Sequence, residues 1–140
     1  MATEQEIAFP RLTPEQVGAL CPVGRTRATR AGEYLWRAGD RDFGFFVLRS
    51  GRVEILDTSG EAPKQVVVHE PGHFTGDVDV LTGRASLVSA RVLEPGEVLE
   101  LSPAALRRVS GELPELSEVL LRAFLMRRTL LIGQGYQGIR

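Results

Sequence analysis

The sequence predicts a mainly β domain, a sandwich or barrel, with helices at both ends. Short apolar segments recur at a spacing of roughly 8–12 residues, which is typical of this class. The 15 glycines and 8 prolines stand between these segments as turn residues rather than in one linker. After residue 101 the apolar residues lie three and four apart, which indicates helices.

The composition is that of an ordinary globular protein. The 140 residues suffice for one domain, and 17 basic and 18 acidic residues give a net charge of −1. This balance argues against nonspecific binding of nucleic acid, which needs a basic surface. The chain has one cysteine, Cys21, and no apolar stretch as long as a membrane span. We therefore expect a cytoplasmic protein with no membrane partner.

The N-terminal helix is predicted from its first residues, after a lead-in over residues 1–11. Thr13 can cap it, Pro14 suits the first helical position, and Gln16 can bond back to the cap. We expect this helix to end near Leu20. The predicted strands then follow in the order Arg25–Arg30, Tyr34–Trp36, Phe43–Leu48, Arg52–Leu56, Lys64–His69, Ser86–Leu93 and Glu97–Leu101.

Two helices are predicted near the C-terminus. Ser102 can cap the first, which would start at Pro103 and end at Gly111. The second covers Glu115–Ile132, and residues 133–140 are expected to form a loose tail. The long helix has apolar side chains on more than one face. We therefore expect one face to pack on the β domain and the other to form a homodimer.

Two stretches punctuated by glycines carry the functional signal. One runs from Gly32 to Val53, and the other reads Pro71-Gly72-His73-Phe74-Thr75-Gly76-Asp77-Val78-Asp79. With the order of the elements, these stretches resemble the cyclic nucleotide-binding domains of the catabolite activator protein and protein kinase A regulatory subunit type. The resemblance covers residues 12–132. It implies a jelly-roll-like double-stranded β-helix over residues 24–101, flanked by helices.

The resemblance also implies a ligand site where a short helix begins near Gly76. The first amides of such a helix, and its dipole, attract an anion. Gly76 would let a phosphate approach the backbone, and Asp77 stands where the family has a glutamate that binds the ribose hydroxyl. The predicted ligand-binding residues are Gly76, Asp77, Val78, Arg84, Ala85 and Ser86.

The sequence departs from the family at this site. Ser86 occupies the position of the arginine that pairs with the cyclic phosphate, and Arg84 comes two residues earlier. Arg84 is therefore either the phosphate partner or a solvated turn residue. Asp79 stands where a small residue is usual, and its carboxylate would repel a phosphate. The expected ligand is cyclic AMP, cyclic GMP or another small anion, and no other cofactor is expected.

We expect a sensor or regulatory domain with no catalytic residues. Ligand binding would shift the region Leu113–Ile132 against the β domain. The alternative is a site without a nucleotide, in a protein that acts by dimerisation or protein contact. The run from Leu121 to Arg128 resembles the N-terminal domains of bacterial thioredoxin reductase-like flavoproteins, which implies a redox flavoenzyme partner. Eight residues follow Ile132, too few for a helix-turn-helix, so no DNA partner is expected.

Other side chains are expected to be structural. His69 and His73 are interpreted as partly exposed turn residues, and no third ligand follows them, so neither a metal nor a metal-dependent jelly-roll enzyme is expected. Cys21 is expected to be a small packed residue. The predicted aromatic core contains Trp36, Phe43, Phe45 and Phe46. The arginines assigned to solvated helix faces are Arg107, Arg108, Arg122, Arg127 and Arg128.

Overall fold

The computed structural model describes residues 7–41, 43–76 and 85–133, with side chains as far as residue 127. Within these ranges, two four-stranded antiparallel sheets lie between terminal helices, which confirms the predicted class. The strands are β1 Arg25–Ala28, β2 Tyr34–Trp36, β3 Phe45–Leu48, β4 Arg52–Asp57, β5 Lys64–His69, β6 Phe74–Thr75, β7 Ser89–Glu94 and β8 Glu97–Leu101. The helices are α1 Pro14–Leu20, a 3-10 turn Cys21–Val23, α2 Pro103–Glu112 and α3 Pro114–Gly133.

The order of strands is β1-β8-β3-β6 in sheet A and β2-β7-β4-β5 in sheet B. Sheet A is packed on both faces. Because side chains alternate along a strand, Phe45 and Val47 of β3 pack with the helices, whereas Phe46 and Leu48 pack against sheet B. The buried residues on the helix side are Leu12, Leu20, Phe45, Val47, Phe74, Leu99, Leu101, Leu106, Val109, Leu116, Leu120 and Ala123. Those between the sheets are Trp36, Phe46, Leu48, Val53, Ile55, Ala90, Val92 and Val98.

The helix caps match their prediction. The Gln16 amide donates to the Thr13 hydroxyl at 3.1 Å, and the Thr13 amide donates to the Gln16 side chain at 2.9 Å. The Ala105 amide donates to the Ser102 hydroxyl at 3.1 Å. Leu20, the last residue of α1, is fully buried in the helix-side core. Each cap therefore fixes the first residue of a helix that packs on sheet A.

Two strands begin later than expected. The prediction started β3 at Phe43, but that residue lies before the strand and stacks on Trp36. The prediction started β7 at Ser86, but the Ser86 backbone bonds to the turn at Gly39 and Asp40 instead of a neighbouring strand. In both cases a contact outside the strand pairing holds the residue: the Trp36 ring for Phe43, and the Gly39–Asp40 turn for Ser86.

The two ends of the chain also differ in detail from the expectation. The segment before α1 contacts the β domain: Ala8 is fully buried, and the Leu12 amide donates to the Gly72 carbonyl at 2.8 Å. At the other end α3 includes Gly133, and the rest of the predicted tail lies outside the described residues. The domain limits at residues 12 and 132 stay a prediction. In the described ranges no helix has the length and apolar character to span a bilayer.

We expect Gly51→Ala to destabilise the fold more than Gly32→Ala. Both glycines have a positive φ, of 82° and 83°, which costs alanine about 1–2 kcal/mol. A Cβ at Gly32 would meet nothing within 4 Å, whereas one at Gly51 would lie 2.5 Å from the Glu94 carbonyl oxygen. The total cost at Gly51 should therefore reach about 3 kcal/mol. Urea unfolding of both variants measures this, and equal losses would contradict the backbone contact.

Candidate functional site

The candidate site begins at Gly76, where β6 ends. β6 is held by β3, with Thr75 opposite Phe46. Gly76 has a φ of 90°, and a Cβ there would lie 2.6 Å from the Gly44 carbonyl oxygen. The contact between these two backbones therefore requires glycine at position 76, whether or not a ligand also approaches it.

The structure describes half of the predicted ligand-binding residues. Ala85 is half-buried, and Ser86 is 2 % exposed. With Gly76 they bound the segment that the family resemblance assigns to the ligand. The predicted residues that lie outside the described ranges are Asp77, Val78 and Arg84, together with Asp79.

Ser86 holds Trp36 in place. The Trp36 Nε1–H donates to the Ser86 hydroxyl oxygen and to the Val88 carbonyl, both at 2.9 Å. The Ser86 hydroxyl in turn donates to the Val88 carbonyl at 2.8 Å. On the backbone, the Ser86 amide donates to the Asp40 carbonyl at 2.9 Å, and the Gly39 amide donates to the Ser86 carbonyl at 2.7 Å. A contact between this hydroxyl and a ligand would compete with these bonds.

Aromatic side chains fill the space beside Ser86. Trp36 stacks on Phe43 with ring centroids 4.5 Å apart and 10° between the planes, and it lies 6.0 Å from Phe46. Trp36 and Phe46 are buried between the sheets, and Phe43 packs against them. Phe45 is buried on the helix side. The predicted aromatic core is confirmed, although its members belong to two separate cores.

The interpretation of the histidines as partly exposed is wrong. His69 is 2 % exposed and His73 is 9 % exposed, and their rings meet edge to face at 5.6 Å. Burial is the main reason that the pKa of each imidazole lies below its usual value, and the nearby Arg127 lowers both further. The described residues contain no cluster of three or more side chains able to hold a metal ion.

Arg127 corrects a second expectation, because it is buried rather than solvated. It is 6 % exposed, and its Nε and Nη2 donate to the carbonyls of Ala8 at 2.6 Å and Phe74 at 2.9 Å. Its position continues the buried stripe Leu116, Leu120 and Ala123 at the helical spacing. This spacing is the pattern in the sequence that could have indicated the burial of Arg127. The predicted solvent exposure is confirmed for Arg107, Arg108 and Arg122, and the Arg128 side chain lies outside the described part.

Cys21 is half-buried, which agrees with its interpretation as a packed residue. The Arg49 guanidinium lies 3.8 Å from its sulfur. Both residues line a groove of about 260 Å³ between α1 and the end of β3. Ser86 is not among the residues that line this groove.

A family model described as the cyclic nucleotide-binding domain matches residues 26–112, more than half of the chain. The chain belongs to the cyclic nucleotide-binding domain family. The fold of this domain is also that of the catabolite activator protein from Thermus thermophilus, with a TM-score of 0.76, 23 % identity, and coverage of 94 % of this chain and 62 % of that one. The regulatory domain of Toxoplasma gondii PKA, solved with cAMP, gives a TM-score of 0.62 at 17 % identity, over 73 % of this chain and 39 % of that one.

A curated relative corrects the expectation that DNA is not a partner. The cyclic nucleotide-binding domain is 31 % identical over 113 residues to the transcriptional activator protein Anr of Pseudomonas aeruginosa. The match covers 79 % of this chain and 46 % of Anr, so the chain spans about half the length of that relative. Since domains of this family occur in transcriptional activators, the residues that follow Ile132 are no argument against a DNA partner. These relatives are regulatory proteins by their names.

Substitutions at Ser86 test whether this residue has the structural role of anchoring Trp36. We expect Ser86→Ala to cost about 1 kcal/mol, because Trp36 keeps the Val88 carbonyl as an acceptor. Ser86→Arg introduces the arginine that the sequence resemblance places here but buries a guanidinium, and it should cost about 3 kcal/mol or more. Urea unfolding followed by the fluorescence of Trp36, the one tryptophan, measures both. A stable Ser86→Arg protein with unchanged emission would contradict the anchoring role.

Proposed function

We propose that this domain is a non-catalytic sensor, which binds a cyclic nucleotide or another small anion beside Gly76 and transmits the binding to α3. Membership of the cyclic nucleotide-binding domain family supports the ligand class. The Toxoplasma relative solved with cAMP is a regulatory domain of the same fold. The observation that carries the proposal is the bond from Arg127 of α3 to the Phe74 carbonyl, two residues before Gly76.

This bond supports a route from the site to the helix. β6 has two residues, and it is paired with β3 on one edge. Arg127 donates hydrogen bonds to the Phe74 carbonyl on this strand and to the Ala8 carbonyl on the N-terminal segment. A ligand that changes the path of the chain after Gly76 would move one acceptor of Arg127. The ligand would change the population of the two helix positions only to the extent that it binds them with different affinity.

The charge of the ligand needs a partner other than Ser86, whose hydroxyl is bonded to Trp36 and Val88. Arg84 is the predicted guanidinium, and the amides after Gly76 are the predicted dipolar partners. The predicted ligand-binding residues remain Gly76, Asp77, Val78, Arg84, Ala85 and Ser86, with Ser86 in a bordering role. Asp79 would weaken binding of a dianion more than that of the singly charged cyclic phosphate.

Calorimetry with cyclic AMP and cyclic GMP tests the sensor. One nucleotide at about a hundred times its Kd should stabilise the domain by about 2.7 kcal/mol and raise the Tm by roughly 5–10 °C. Arg84→Ala should weaken binding by about tenfold or more, since it removes a charge-assisted bond. The control Arg107→Ala removes an exposed arginine of α2 and should bind as the wild type does.

Two results would contradict the proposal. One is the absence of both heat and thermal shift with cyclic AMP, cyclic GMP and inorganic phosphate, each at millimolar concentration. The other is equal affinity of Arg84→Ala and the wild type, which would assign Arg84 to a solvated turn. Inorganic phosphate serves as a third titrant, because binding of phosphate without nucleotide would identify a small-anion sensor.

The second candidate function is dimerisation or protein contact through α3 without a nucleotide. Leu121 and Leu125 lie one helical turn apart and are 54 % and 53 % exposed. Their side chains form an apolar strip on the face opposite the buried stripe of α3. We propose a second copy of this chain as the occupant, because the commonest symmetric assembly is a two-fold dimer in which the same surface patch of both subunits meets.

Sedimentation equilibrium tests this dimer. The wild type should give a mass of about twice 15.4 kDa. Leu121→Glu should return the monomer mass, because it places a charge in an apolar contact. The matched control Arg108→Glu adds a glutamate at an exposed position of α2 and should leave the dimer intact. A monomeric wild type would exclude dimerisation through α3.

The output partner of the whole protein is a separate question. Similarity to Anr favours a transcriptional output. We rank it before the thioredoxin reductase-like flavoenzyme that the sequence resemblance implies, since no comparison tests that partner. Both outputs are compatible with a sensor that acts through α3.

A further inference from the structure

A cluster of aromatic and basic side chains, all buried except the half-buried Phe9, joins three separate parts of the chain. Its members are Phe9, His69, His73, Phe74 and Arg127, and we call it the latch cluster. Phe9 belongs to the segment before α1, the histidines and Phe74 to β5, β6 and their connection, and Arg127 to α3. The cluster is therefore placed where α3 is attached to the β domain.

The contacts within the latch cluster form a continuous chain. The Arg127 guanidinium carbon lies 4.5 Å from the Phe74 ring centroid and 5.3 Å from that of Phe9. The Phe9 ring is 5.9 Å from the His69 ring, which is 5.6 Å from the His73 ring. A permanent cation and two titratable rings thus share one buried space.

The hydrogen bonds suit the neutral form of both histidines. The Glu70 amide donates to His73 Nδ1 at 3.1 Å, so this nitrogen is an acceptor and a proton on it would break the bond. In the described structure His69 Nδ1 is buried without a hydrogen-bond partner, so a proton there would have no acceptor to receive it. Protonation of either ring is therefore opposed by geometry.

The charges around the cluster act in the same direction. Burial comes first in lowering the pKa of His69, followed by Arg127 and His73. Burial also lowers the pKa of His73, with Arg11 and Arg127, while Glu70 opposes them. Glu70 is half-exposed and paired with Arg11 at 3.2 Å, which weakens its ability to stabilise an imidazolium. These are the charged groups that act on the two rings among the described residues.

We propose that the latch cluster is a proton-operated latch, in which a proton on His69 or His73 places a second positive charge beside Arg127 and releases the C-terminal half of α3. The latch rests on the proposed function only in taking α3 as the output element. It needs no ligand and would make the sensor respond to acidification.

The direction of the pH response follows from the linkage of protonation to opening. In the open form the imidazoles have their ordinary pKa of about 6.5, and in the closed form they bind a proton less tightly. The latch is therefore stable above this pH and opens as the pH falls below it. Each histidine can raise the equilibrium constant for opening by up to about tenfold per pH unit.

Hydrogen exchange of the full chain without ligand, at about pH 7.5 and about pH 5.5, tests the latch. After correction for the intrinsic exchange rate, the α3 amides should open about tenfold more at the lower pH for each histidine that responds, and about a hundredfold more if both respond, while the β8 amides stay protected. The variant His69→Gln/His73→Gln removes both histidines of the chain and should lose this response. The matched control Arg122→Gln removes an exposed guanidinium of α3 and should keep it.

An equal response in the double variant would overturn the latch, and so would equal opening of α3 and β8, which indicates global unfolding. If the double variant does not fold, the single variant His73→Gln, at the less buried histidine, replaces it. This variant should reduce the pH response of α3. NMR titration of the two imidazoles in the wild type gives an independent check. Ordinary pKa values with no change in α3 would overturn the proposal and would leave the nucleotide calorimetry unaffected.

Discussion

The rest of the structure depends on the burial of sheet A on both faces. Phe45 and Val47 of β3 pack towards the helices, and Phe46 and Leu48 pack towards sheet B. A shift of this strand by one residue would exchange the two sets and disturb both cores at once. The position of β3 is therefore fixed, and so are the positions of β6, which pairs with it, and of the start of the candidate site.

Close contact of two backbones extends this constraint to the site itself. Gly76 lies against the Gly44 carbonyl, directly before β3, so the start of the candidate site has a fixed position relative to sheet A. Arg127 binds the Phe74 carbonyl just before that point. The same short strand is thus tied to the rigid sheet on one side and to the C-terminal helix on the other. This double attachment is the reason that the proposed sensor takes α3 as its output element.

The sequence resemblance places an arginine where this chain has Ser86, and the structure shows what the serine does instead. A buried serine bonds to the Trp36 indole, and Trp36 stacks on Phe43 beside it. Aromatic packing thereby occupies the space next to the position that the family gives to a guanidinium. In the proposed sensor, the backbone amides after Gly76 and Arg84 are therefore the expected partners of an anion.

The sequence by itself determined the class of fold, the helix caps, most strand positions and the aromatic core. These features depend on alternation, turn residues and caps, which involve residues a few positions apart, as with Thr13 and Gln16. Only the tertiary structure decided the roles of Ser86, the histidines and Arg127. Trp36 and Ser86 are 50 positions apart, and Arg127 bonds to residues 53 and 119 positions away. Polar residues of this kind are usually exposed, and burial with a partner from a distant segment leaves no local pattern to read.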